Sequence, residues 1–141
     1  MRVIIAGSRN LFWNEKVFEF INKTIIENNI SVDEVVSGKA QGVDALGELW
    51  AKDNNIVVKD FPANWDLYGK SAGFRRNTEM SAYSDILILV RLDASIGSTH
   101  MLEIAKKDGL LTYVLDLKQE EVPTQFLKAP LLIQEYVSPD F

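Results

Sequence analysis

Four short stretches carry the residue types that bind anions and sugars: Gly7-Ser8-Arg9, SGKAQGVD from Ser37 to Asp44, Arg75-Arg76-Asn77, and Gly97-Ser98-Thr99. An arginine directly behind a Gly-Ser turn is a good anion ligand, although the glycine alone explains a tight turn. Gly38 and Gly42 flank a helix start, where free backbone N–H groups meet an anion. Each favourable charge–dipole contact there contributes about 0.3–1 kcal/mol. The same glycines equally let the strand turn and the helix pack. The turn fits neither common phosphate template. A P-loop places its lysine after the second glycine, whereas Lys39 follows the first, and G-x-G-x-x-G is absent.

Asp44, in the first turn of that helix, repels phosphate and fits better as a ribose-hydroxyl acceptor or a cap. Arg75, Arg76 and Asn77 sit at an expected helix start beside GKSAG, either as anion ligands or as a solvated basic pair. Gly97, Ser98 and Thr99 open a further helix and offer a second N-terminal anion site, with Ser98 equally readable as an N-cap. Glu103, one turn beyond Thr99, either points back at that pocket as a catalytic carboxylate or pairs with Lys106 or Lys107 on the surface. Trp65 and Tyr68 can stack on a base or pack against the core.

The elements that must position these groups alternate. RVIIA (2–6), DEVVS (33–37), IVVKDF (56–61), DILILV (85–90) and GLLTYVLDL (109–117) read as strands. Helices are expected from Asn14, over about 42–54, over 74–84 and over 98–108. Residues 62–73 read as irregular and RLDASIGST as a loop. Alternating β and α with short loops predicts an α/β, Rossmann-like three-layer sandwich with a mainly parallel five-stranded sheet. In such sheets ligands bind beyond the carboxyl ends of the strands. Four of the expected strands aim their unusual residues at that edge.

At 141 residues, the length predicts one domain, 1–117, with a tail, 118–141, packed on the domain or on a partner subunit. LLIQEYV in that tail reads as an edge strand or an amphipathic arm, and LFW (11–13) as a cover for the core or for a second subunit. A homo-oligomer is therefore compatible with the sequence. Net charge −5 argues against a long nucleic-acid partner, since such affinity comes largely from Lys and Arg neutralising phosphates. The absence of cysteine and the single histidine, His100, exclude a thiolate or His-rich metal site. No resident cofactor, membrane span or signal segment is expected, and a cytoplasmic location is the default.

Together GSR after the first strand, SGKAQGVDALGELWA and FPANWDLYGKSAGFRRNTEM resemble the SLOG superfamily, specifically its YspA/cpYpsA-related branch. The second stretch is similar to the SGxAxGxD signature shared with the DNA-processing protein DprA, and the third to PAxWxxxGxxAGxxRNxxM. The resemblance covers residues 1–117 and implies a nucleotide-binding Rossmann-like domain. The branch is also related to the LOG phosphoribohydrolases, which cleave the N-glycosidic bond of nucleoside 5′-monophosphates. By that comparison Arg76, Asp85, Gly97 and Thr99 match LOG positions, and Glu103 falls one residue late on the second catalytic glutamate. PGG is replaced by DASI, Asn77 stands for the lysine, and the first glutamate is missing.

The leading expectation is a binder of a nucleotide or nucleotide-derived small molecule, acting as a sensor or a sequestering protein. A phage or prophage origin would favour the latter. The alternatives are a LOG-like N-glycosidase using Glu103 and a DprA-like single-strand DNA binder, the last opposed by the acidic charge balance.

Overall fold

A computed structural model of the chain describes residues 1–128. Five strands, β1 (Arg2–Gly7), β2 (Glu34–Ser37), β3 (Val57–Asp60), β4 (Ile86–Leu92) and β5 (Leu111–Leu117), form one sheet in the order β3-β2-β1-β4-β5. Every pairing is parallel. The apolar runs sort by parity into two cores. Val3 and Ile5 of β1 join Ile86, Ile88 and Val90 of β4 in a cluster with Val17 and Ile21 of α1 (Asn14–Glu27) and Leu46 and Trp50 of α2 (Val43–Asp53). Their neighbours Ile4, Ala6, Leu87 and Leu89 face the opposite way. These pack against Met80 of α4 (Ala72–Tyr83) and Met101, Leu102 and Ala105 of α5 (Ile96–Lys107). The result is the expected Rossmann-like three-layer α/β architecture, with the alternation of strand side chains assigning each residue to a layer.

Several boundaries differ from the sequence reading, three of them at the carboxyl edge. Strand β4 continues past Val90 to Leu92, because Arg91 and Leu92 pair with Asp116 and Leu117 of β5. The stretch 62–73 is not wholly irregular. It holds α3 (Trp65–Tyr68), capped by the Asn64 side chain accepting from the Leu67 N–H, and a 3₁₀ turn, Gly69–Ser71, leading directly into α4. Helix α5 begins at Ile96, two residues early, so Ser95 is its N-cap and Ser98 lies within the first turn.

The aromatic cluster after β1 lies against the chain beyond β5. Leu11 and Phe12 are buried in the first core. The Phe12 N–H donates to the Phe126 carbonyl at 2.7 Å, and Trp13 stacks on Phe126 with ring centroids 5.4 Å apart. The LLIQEYV segment (131–137) lies outside the described residues. No helix among them is long and apolar enough to cross a membrane.

Candidate functional site

Strand order reverses between β1 and β4, which are the first and fourth in sequence but neighbours in the sheet. At such a point the two following loops diverge and leave a crevice. Ser8 fastens its floor. The Ser8 N–H donates to Val90 O at 3.1 Å, and its hydroxyl accepts from the Leu92 N–H at 2.7 Å and pairs with Ser95 Oγ at 3.0 Å. Gly42, the N-cap of α2, has φ +76, and a Cβ there would lie 2.4 Å from Ser8 O. Only glycine accepts both conditions. The neighbouring Val43 N–H donates to that same Ser8 carbonyl.

Asp44 stands in the first turn of α2, only 4% exposed. Its carboxylate accepts from the Gly7 N–H at 3.3 Å and the Ala40 N–H at 3.4 Å, joining the end of β1 to the loop after β2. Burial raises this carboxyl to about 6, against the pull of Arg76 and of the two N–H groups. Arg76 is 6% exposed, bonds the Gly38 carbonyl through Nη1 and donates from Nε to Asn77 Oδ1 at 3.1 Å. Burial lowers its pKa, and the Asp44 charge opposes that. Asn77 in turn donates to Gly97 O at 3.3 Å and contacts His100 Nδ1 at 3.2 Å. His100 is held below its ordinary range by burial, with Glu103 opposing, so its ring is neutral near pH 7 and accepts there.

Asp44, Arg76 and Asn77 line a cleft over the carboxyl edge of the sheet. It has two lobes of about 400 Å³ each, a size typical of small-molecule sites. The Ser95 cap makes no side-chain cap bond. The first-turn N–H groups of α5 have no intrahelical acceptor, and Ile96, Gly97 and Ser98 border the second lobe. The chemistry on offer is therefore buried cationic charge, helix-start donors, a carboxylate acceptor in each lobe and apolar walls. Among the described residues no group of three or more His, Asp or Glu side chains could hold a metal ion.

Of the residues singled out in the sequence, Gly7, Arg9, Asp44 and Trp65 line the cleft, with Gly38 bordering the first lobe. So do Arg76, Asn77, Gly97 and Ser98. Other expected ligands are engaged elsewhere. Ser37 is fully buried, donating to Glu48 at 2.7 Å, and Glu48 also takes Lys39 Nζ at 2.7 Å. Arg75 points outward, its guanidinium 4.3 Å from the Tyr68 ring centroid. The Thr99 hydroxyl donates to Ala94 O and accepts from Arg91, which also forks onto Asp116. Glu103 is exposed and is not among the cleft-lining residues. Ser8 and Gly42 shape the floor without bordering the cavity. Sequence reasoning missed Phe74, Met80 and Met101 of the apolar wall, and Asn10 and Lys70 at the rim.

The raised Asp44 carboxyl has a measurable consequence. The folded state holds a proton here between the unfolded value of 3.8 and about 6, so its stabilising effect is full below that window and is lost as pH rises through 6. Urea unfolding across pH 3–7.5 should show the parent chain losing about 3 kcal/mol relative to Asp44→Asn, at 1.36 kcal/mol per pKa unit. Parallel pH profiles for the two proteins would refute the assignment.

Comparison with known proteins agrees with this architecture. The family model described as YspA, cpYpsA-related SLOG family matches residues 1–68. Gene 61 protein of Mycobacterium phage D29 is 31% identical over 117 residues, an alignment covering 77% of this chain and 91% of that protein. No solved structure matches the chain. With a family signature running from β1 through α3 and a relative aligned along most of both lengths, the chain belongs to the YspA, cpYpsA-related SLOG family.

Proposed function

We propose that the cleft binds a nucleotide or nucleotide-derived small molecule, and that the protein acts as a sensor of that molecule or sequesters it. The observation carrying this reading is Arg76. It is a guanidinium held almost out of solvent on the wall of a lobe that the first turn of α5 also borders, at the switch point of the sheet. Family membership and the phage relative support it, the latter favouring sequestration. In this reading the phosphate sits between Arg76 and the α5 start, Asp44 accepts from a ribose hydroxyl, and Trp65 flanks the base.

Calorimetric titration with a panel of nucleoside monophosphates, NAD, ADP-ribose and cyclic nucleotides tests it. Saturable binding of at least one member is expected. Ile96→Pro removes one first-turn N–H at the helix position that best tolerates proline, after an extended Ser95. It should weaken that binding by about tenfold, the share of one charge-assisted hydrogen bond, with stability retained. No binding by any member sinks the proposal.

Hydrolysis of an N-glycosidic bond is favoured by one observation. Asp44 is a cleft carboxyl whose pKa of about 6 suits proton transfer near neutral pH. Glu103 is exposed, so a hydrolase here would work through Asp44 in its place.

A further inference from the structure

The two lobes of the cleft meet at Arg9, Ala40, Trp65 and Arg76, which border both. One lobe lies beyond the ends of β2 and β3, walled by Gly38, Gln41 and the Pro62–Asp66 segment. The other lies beyond β1 and β4, against α4 and α5. The lobes repeat one chemistry. Each has a carboxylate to accept from sugar hydroxyls, Asp66 in the first and Asp44 in the second. Each also has an apolar wall, Pro62 and Ala63 in the first, Phe74 and Met101 in the second. The two arginines stand at the junction between them.

From this repetition we infer that the occupant is two-ended: a pyrophosphate-bridged molecule with a ribosyl group at each end. Its phosphates lie at Arg9 and Arg76 and one end enters each lobe. The inference rests on the nucleotide reading above and narrows it. A nucleoside monophosphate has one sugar and leaves the second carboxylate and the second apolar wall to water. Two guanidinium charges side by side at the junction match the charges of two adjoining phosphates better than that of one. A polynucleotide strand is a poorer match, because its phosphates recur along a groove instead of meeting at one point.

Obstructing each lobe in turn tests the inference, with ADP-ribose and AMP as probes in calorimetric titrations of the full chain. Ala63→Trp narrows the first lobe only, and Asn10→Trp, at an exposed rim position, the second only. Gln41→Trp and Lys70→Trp repeat the two obstructions from other positions, and melting curves confirm that each variant folds. ADP-ribose affinity should fall about tenfold or more with each obstruction. AMP should respond to one and stay within about threefold for the other. If ADP-ribose also responds to only one, the occupant is single-ended and this inference is overturned while the nucleotide reading stands. If neither probe nor any other nucleotide binds, both fail together.

Discussion

Arg76→Ala should lower nucleotide affinity by about a hundredfold or more, the scale expected on truncating a buried, hydrogen-bonded charge at a binding site. Two effects combine. The anion loses its guanidinium, and the Asp44 carboxyl loses the cation that offsets its burial. Folding stability should fall less, by about 1–3 kcal/mol, because the Gly38 carbonyl and Asn77 lose a donor while an expensive buried cation is also removed. Arg76→Lys separates charge from geometry. A lysine keeps the charge but cannot donate to Gly38, Asn77 and a phosphate from one planar fork, so only part of the affinity should return. Calorimetry on the three proteins with one nucleotide decides it. An affinity within threefold of the parent for Arg76→Ala would place the anion elsewhere.

The largest stability effect is expected at Gly7→Ala. A Cβ there would lie 1.9 Å from the Val90 carbonyl oxygen and 2.9 Å from the Val43 Cβ. The first is backbone of a paired strand and cannot swing aside, so β1 and β4 must part where Ser8 bonds Val90 and Leu92. Overpacking of this kind costs about 3 kcal/mol or more. Gly109→Ala is the comparison. Nothing lies within 4 Å of its Cβ, and Gly109, with φ +81, ends α5 in the left-handed turn where its N–H donates to Lys106 O and the Leu110 N–H to Ala105 O, so alanine brings only the left-handed backbone cost, about 1–2 kcal/mol. Urea unfolding of both variants should separate them clearly. Equal losses would mean that the switch point is not as tightly packed as its geometry states.

Much of this was legible in the sequence because it is written in local periodicity. The parity of Val3 and Ile5 against Ile4 and Ala6 specifies a strand buried on both faces, and the β-α alternation specifies the parallel sheet. Part of the site was legible by the same means. With α4 starting at Ala72, Gly73, Arg76, Asn77 and Met80 recur at helical spacing on one buried face. Arg75 falls off that face, and placing the helix start two residues late concealed the distinction. In α5 the face that meets the cleft is Gly97, Ser98 and Met101, whereas Thr99 and Glu103, four apart, share another. The same i, i+4 spacing that drew Glu103 towards Thr99 therefore takes it away from the cavity. Ser37 and Thr99 lie outside the cleft lining for a different reason. Their partners, Glu48 and Arg91, are fixed by tertiary packing and by the extension of β4 along β5, neither of which has a local signal.

The most direct test of a cleft that holds a nucleotide without cleaving it is a mass-spectrometric time course. Pure protein is incubated with the nucleotide panel, and the free and heat-released fractions are analysed separately. The account predicts an intact nucleotide that appears only in the heat-released fraction and is absent when Arg76→Ala replaces the parent. Free base accumulating with time in the parent, and not in Asp44→Asn, would contradict it and make the cleft a hydrolytic site.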